Sequence, residues 1–449
     1  MLRRRDKTCT SPKSRYFPLS TCPSRRAYSP SISRRSGHRF AVRKCDNTAS
    51  ISRRSGHRFA VRKCDILQVP GAKPVLTTQV NSADRLVIAI DAMGGDHGPA
   101  VTVAGAARAL ALRSNLFFQL HGDGPMIEAE LARHPALKAS ASVHHTDQSI
   151  AMDEKPGSAI RRRNTSMANA IHAVKGGEAR AVVSAGNTGA LMALSKMIVK
   201  MLTTDLERPA IGCSWPNPKG FATVLDVGAN VTSDARQLIE FALMGAAFHR
   251  AIWGTDRPSI GLLNVGSEDV KGHDEVKEAH RLFKETSLGL NYYGFVEGTD
   301  LCAGTTDVVV TDGFTGNIAL KTAEGAARFM QDTLKKGFMS SLPAMIGAWL
   351  AKSALKKTLR PLDPAESNGG PLLGLKGIVI KSHGGADARS FANAIKVGIS
   401  LAASGYEHEL SASLAQMTQS LADSPADLAP AGGQTDMKDL AEASGSKVI

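Results

Sequence analysis

The stretch LVIAIDAMGGDHGPA (86–100) decides how the rest of the chain is read. Its first six residues form an apolar, β-branched run of strand length, too short for a helix. The run stops at MGGDHG, where glycine supplies turn conformations that other residues resist. An alanine-, valine- and leucine-rich segment over 100–113 then has the composition of a helix. Apolar run, glycine turn and helix make one βα unit, and a chain built from such units calls for a parallel sheet with helices on its faces.

The unit recurs along the chain. Further strands are predicted at 116–121, 179–184, 222–226, 259–264, 307–311 and 377–381, with helices at 125–133, 190–201, 235–253, 273–285, 318–336 and 389–403. The expected architecture is one α/β domain over 84–423, Rossmann-like, with a mostly parallel sheet flanked by helices and a protruding helical segment at 330–365. Seven strands end in glycine-bearing turns: DAMGGD (91–96), HGDGP (121–125), SAGNTG (184–189), DVGAN (226–230), NVGSE (264–268), TDGFTGN (311–317) and SHGGAD (382–387). In a parallel sheet all seven are expected at one carboxyl edge, where ligands of such folds bind. Helix N-termini following such turns offer unpaired N–H groups and partial positive charge, which suits phosphate.

Charge divides the 449 residues sharply. The net charge is +14, yet residues 1–83 carry 19 Lys/Arg against three acids, leaving the rest close to neutral at −2. This basic extension holds SISRRSGHRFAVRKCD twice, at 31–46 and 50–65. Two copies are too few to stack as a solenoid, and apolar residues are too sparse for a core, so disorder is expected. A targeting-like presequence or an anion-binding arm are the alternatives; nucleic acid is not an expected partner of the protein. Residues 424–449, rich in Ala, Pro, Gly and Ser, are expected to be a disordered tail. The 43% hydrophobic content without a heptad or triplet period excludes coiled coil and collagen, and no apolar run of membrane-spanning length occurs. No CxxC pair is present, and Cys213 and Cys302 read as small buried hydrophobes of a reducing compartment. Walker A, HExxH and GxSxG motifs are absent, and no GxGxxG comes with an acidic partner, so neither metal nor cofactor is expected.

Seven blocks carry a family likeness: IAIDAMGGDHGP (88–99), EKPGSAIRRRNTSM (154–167), SAGNTGALM (184–192), LDVGANV (225–231), GLLNVGSEDVKG (261–272), VVVTDGFTGNIALKTAEG (308–325) and GIVIKSHGGAD (377–387). In this order they resemble the phosphate acyltransferases of the PlsX type. The resemblance implies a fold similar to that of phosphotransacetylases and isocitrate dehydrogenases, a homodimer, and a cytoplasmic enzyme of phospholipid synthesis. It implies transfer of a long-chain acyl group from acyl carrier protein to inorganic phosphate, giving acyl phosphate. A phosphotransacetylase-type transfer from acyl-CoA is the alternative.

That chemistry needs positioning and charge cancellation more than a strong base, because phosphate near neutral pH is already largely a dianion. Asn187 and Thr188, with the N–H groups of Gly186 and Gly189, are expected to cradle phosphate or the thioester oxygen. Thr315, Gly316 and Asn317 are expected to do the same from across the cleft. Lys321, four residues beyond Asn317 on one helical face, neutralises phosphate or caps a neighbouring carboxylate. Asp91, Gly94, Gly95 and His97 lie on the first turn, with His97 either protonating the departing thiolate or structural. Asn230 and His383 are further pocket candidates, whereas Asp226 and Asp312 are expected to hold loops. Arg163, in the run 161–163, contacts phosphate, phosphopantetheine or an acidic carrier, or sits on a solvated face. Over 338–360, Leu342, Met345, Ile346, Trp349 and Leu350 form an apolar stripe followed by Lys352, Lys356, Lys357 and Arg360. Such a helix lies on an anionic membrane surface or packs within or between subunits.

Overall fold

A computed structural model describes residues 85–422 apart from Ser287, Pro361 and Leu362. The repeat-bearing extension expected at 1–83 and the tail expected at 424–449 lie outside the described residues. The strands are β1 (Leu86–Asp91), β2 (Leu116–Gly122), β3 (Ala141–His145), β4 (Ala181–Ser184), β5 (Ala210–Asn217), β6 (Gly220–Leu225), β7 (Ser259–Leu263), β8 (Asn291–Val296), β9 (Val308–Val310), β10 (Gly370–Leu373) and β11 (Ile378–Lys381). In the first half of the chain the helices are α1 (Pro99–Leu112), α2 (Gly124–Leu131), α3 (Pro135–Lys138), α4 (Pro156–Ala159), α5 (Ser166–Lys175) and α6 (Thr188–Ile198). The second half adds α7 (Ala235–Trp253), α8 (Asp274–Glu285), α9 (Gly298–Ala303), α10 (Gly313–Phe338), α11 (Leu342–Leu359), α12 (Ala388–Ser404) and α13 (Tyr406–Ala422).

All eleven strands join in one sheet, in the order β3-β2-β1-β4-β11-β10-β5-β6-β9-β7-β8. The block β3-β2-β1-β4-β11 is parallel throughout, and so is β6-β9-β7-β8. Between them, β11–β10, β10–β5 and β5–β6 are all antiparallel. Three reversals leave the two parallel blocks running in opposite directions. The fold is therefore the expected α/β sheet, but its strand tips do not share one edge. β5 and β10, the strands that cause the reversal, have no counterpart among the strands predicted from sequence.

Strand period explains the layering. Ile88, Ile90, Ala181, Val183, Val308, Val310, Ile378 and Ile380 face one core, while Ala89, Val182, Val309 and Val379 face a second. Alternate residues pointing to opposite sides, both apolar, are what a sheet covered on both faces requires. The longest buried helix, α7, packs into the first core through Leu238, Ile239, Phe241, Leu243, Met244 and Phe248. It starts on a reciprocal capping box between Asp234 and Gln237 and ends at Gly254, which adopts the left-handed φ of 71°. Helices α10 and α11 behave differently. α11 contains no buried residue, and Leu342, Ile346, Trp349 and Leu350 on it are all exposed. Cys213 is buried as expected, whereas Cys302 is exposed at the end of α9.

Candidate active site

Where β4 ends, the chain turns through Ala185–Gly186–Asn187 into α6 (the tip of the first parallel block). Ser184 donates from Oγ to Asp91 Oδ2 at 2.7 Å and accepts the Gly186 N–H at 3.0 Å, locking the tips of β1 and β4 together. Asp91 is 1% exposed, and burial raises its pKa above the usual carboxylate range. Gly94 lies so close to this junction that a Cβ would sit 2.7 Å from the Gly186 nitrogen and 2.8 Å from Asp91 Oδ2. Asn187 caps α6, its Oδ1 accepting the Ala190 N–H at 3.0 Å. Its Nδ2 donates to Met152 O at 2.7 Å and Glu154 O at 3.0 Å, tethering the 152–158 segment. The N–H groups of Thr188 and Gly189, first in the helix, have no intrahelical acceptor.

In the second block, Asp226 at the end of β6 organises the tip. Its Oδ1 accepts the N–H groups of Ile211, Gly228 and Ala229 at 3.0–3.1 Å, and its Oδ2 accepts the Asn230 N–H at 2.6 Å. Burial pushes its pKa up, while these backbone donors pull it down. Asp312 caps α10 by accepting the Thr315 N–H and Oγ1–H, each at 2.8 Å. Gly316 then packs so tightly on β6 that a Cβ would overlap the Asp226 carbonyl oxygen. Both aspartates therefore hold loops, as their positions suggested.

A cleft of about 720 Å³ lies where the reversing strands join the two blocks, floored by Ile211, Cys213 and Val227. Five of the seven glycine turns reach it, through Asp96, Thr188, Gly228, Asn317 and the 382–387 turn; HGDGP and NVGSE do not. The expectation of a single shared edge is thus replaced by two opposed sets of tips meeting at the reversal. One face of α10 lines the cleft with Asn317, Lys321, Glu324 and Arg328, at i, i+4, i+7 and i+11. The cations Lys321, Arg328 and Lys381 are matched by the anions Asp96, Glu324 and Asp387, so a dianion depends on local placement of donors rather than on net charge. Burial drives the Cys213 thiol up to about 12, which leaves it un-ionised and poorly nucleophilic. Among the described residues no group of three His, Cys, Asp or Glu is arranged to hold a metal ion.

The structure sorts the sequence candidates by position. Thr188, Asn317, Lys321 and His383 line the cleft. His383 accepts the Gly385 N–H on Nδ1 at 3.1 Å, and its own N–H donates to Asn368 Oδ1 at 2.9 Å. Asp91, Gly94, Gly95, Gly186 and Gly316 sit just behind the wall, where they set the tips in place. Gly189 abuts Pro156, to which a Cβ would approach within 2.8 Å. The Asn187 side chain is fully committed to capping and tethering, and Thr315 to Asp312, so neither offers its side chain to the cleft. Asn230 is 2% exposed and spends its amide on Pro209 O and Asp226, and it does not reach the cleft. His97 and Arg163 are exposed and stand outside the lining. Among the residues that sequence reading did not single out, Lys381, Asn368, Glu324 and Arg328 reach it. Lys381 had a legible signal: a lysine closing the buried run IVIK, where an apolar residue or a turn former is ordinary.

The sequence model of the family described as "Fatty acid synthesis protein" matches residues 86–408. A phosphate acyltransferase of Caulobacter vibrioides is 59% identical over 341 residues, covering 76% of this chain and 94% of that protein. One from Phenylobacterium zucineum is 51% identical over 349 residues, covering 78% and 98% respectively. Among solved structures, a phosphotransacetylase from Staphylococcus aureus aligns with a TM-score of 0.47 at 16% identity, covering 71% of this chain and 94% of its own. The chain is an acyltransferase and belongs to the family of PlsX-type phosphate acyltransferases.

Proposed function

We propose that the enzyme transfers a long-chain acyl group from the thioester of acyl carrier protein to inorganic phosphate, supplying acyl phosphate to phospholipid synthesis. The observation that carries this reading is the meeting, in one cleft, of the α6 N-terminus, the 382–387 turn and the cationic face of α10 above an apolar floor. Phosphate is received by the N–H groups of Thr188 and Gly189 and by the Thr188 hydroxyl, with Lys321 and Arg328 facing it from α10. The floor of Ile211, Cys213 and Val227 takes the apolar part of the donor.

A phosphate oxygen attacks the thioester carbonyl carbon, the carbon–sulfur bond breaks, and the thiolate leaves. The proton that monohydrogen phosphate brings is the one the thiol finally carries, so the reaction balances without an added acid or base. Of the two candidate histidines, His383 lines the cleft and His97 does not, which supports His383 as the group that relays that proton. The exposed apolar and basic segment 338–360, which holds α11, supports peripheral contact with an anionic membrane and pairing with a second copy of the chain in the cytoplasm. No helix among the described residues is long and apolar enough to cross a membrane.

The test is thiol release from long-chain acyl carrier protein with and without phosphate. Phosphate-dependent release is expected. Release indifferent to phosphate overturns acyl transfer to phosphate, and activity confined to short-chain acyl-CoA replaces the donor.

A further inference from the structure

Lys381 ends β11 at the cleft, and its ammonium group is unlike any other in the described residues. It donates to Gly186 O at 2.6 Å, Ser382 O at 2.7 Å and Ala185 O at 3.1 Å. An ammonium has three protons, so its donors are fully used by backbone carbonyls. Two of these belong to the turn between β4 and α6, and the third to the tip of β11. A single side chain on the cleft wall thus ties two strand tips together.

The peptide plane turns this tie into a consequence for the substrate. In a trans peptide the C=O and the following N–H point in opposite directions. Drawing the Gly186 carbonyl toward Lys381 therefore turns the Asn187 N–H away from it, just ahead of the unpaired N–H groups of Thr188 and Gly189. The Gly186 N–H, by contrast, is held by Ser184 Oγ, which is itself bound to Asp91.

We propose that Lys381 is a positioning residue that shapes the 185–189 turn into the anion cradle receiving inorganic phosphate. It does not bind the phosphate by hydrogen bond, because its three donors are taken. The inference rests on the acyl-transfer reading and deepens it by naming the residue that sets phosphate affinity. Burial lowers the Lys381 pKa to about 8, opposed by the facing carboxylates Asp91 and Asp96. The charged form, and with it the three-carbonyl tie, is therefore lost as pH rises through that value.

The experiment compares wild type with Lys381→Met and Lys381→Arg, measuring KM for inorganic phosphate, KM for the acyl donor and the rise in unfolding midpoint that phosphate alone produces. Lys381→Met is expected to raise the phosphate KM about tenfold or more, the scale of losing one charge-assisted set of bonds. Donor KM stays within about twofold, since uniform binding of the donor is untouched. The phosphate-induced midpoint rise disappears in Lys381→Met and is partly restored in Lys381→Arg, which a general loss of structure does not produce. If neither variant folds, wild type decides: its phosphate KM is expected to climb between about pH 7.5 and 9. A folded Lys381→Met with unchanged phosphate KM, or a flat wild-type profile, overturns the proposal. Failure of phosphate to promote thiol release in wild type refutes the acyl-transfer reading instead, and the phosphate-induced midpoint rise still reports on the cradle.

Discussion

Replacing Asn187 with alanine removes three hydrogen bonds and, by the geometry, no side-chain contact with substrate. The lost cap on Ala190 costs about 1 kcal/mol. The two amide bonds to Met152 O and Glu154 O are worth about 0.5–1 kcal/mol each, at the low end because Met152 is exposed and water can replace the donor. The sum is roughly 2–3 kcal/mol, or an unfolding midpoint lower by roughly 3–4 °C for a folded domain of this size. Asn187→Ser separates the two parts: its hydroxyl keeps the cap and loses the tether, so about half the shift remains. Thermal unfolding followed by circular dichroism reads the stability, and phosphate-dependent thiol release reads the rate. Because the side chain acts by holding the 152–158 segment and the start of α6, the rate is expected to fall by no more than about tenfold, mainly through KM. A loss of about a thousandfold in kcat with an unchanged midpoint refutes the reasoning, for it requires Asn187 to touch the reacting atoms.

Three further outcomes follow from the same geometry. Gly316→Ala drives a Cβ into the Asp226 carbonyl and is expected to cost more than about 3 kcal/mol, read as loss of folded protein or a steep fall in the denaturation midpoint. Trp349→Glu, on a fully unburied helix, is expected to leave the midpoint unchanged and weaken sedimentation with anionic vesicles; unchanged sedimentation removes this stripe from membrane contact. Glu240 is 2% exposed on α7, and burial raises its pKa to about 7 despite Arg236 Nε at 3.2 Å. A raised carboxyl pKa means the folded state holds the proton longer than the unfolded one. Stability is then fullest below about pH 4.5 in this contribution and is lost as pH rises through about 7, and Glu240→Gln is expected to flatten that slope in midpoint-against-pH measurements.

Much of the fold is written in local pattern. The 19 residues of α7 show their apolar face and capping box directly, and the buried runs at 86–91 and 378–381 alternate between two apolar cores. The reversal of the sheet was hidden because its strands carry no strand-like text. β5 reads AIGCSWPN, with glycine and proline inside it, and β10 is the four residues GPLL. Both owe their conformation to long-range pairing with neighbours rather than to propensity. The glycine turns marked the cleft, but not which residues would spend their polar groups on the protein itself. Asn187, Asn230 and Thr315 have suitable chemistry, yet their partners Met152, Pro209 and Asp312 come from contacts or caps that consume it. Lys381 lies within the 377–387 block, but its role is not legible there, because the role of a strand-end lysine depends on which carbonyls the fold brings to it.

The most direct measurement is an experimental structure of the enzyme with orthophosphate bound. The geometry predicts phosphate oxygens within about 3 Å of the Thr188 and Gly189 nitrogens, with Lys321 turned toward the anion from α10. Phosphate held instead at Arg161–Arg163, or on α11 with the α6 N-terminus left to water, contradicts it.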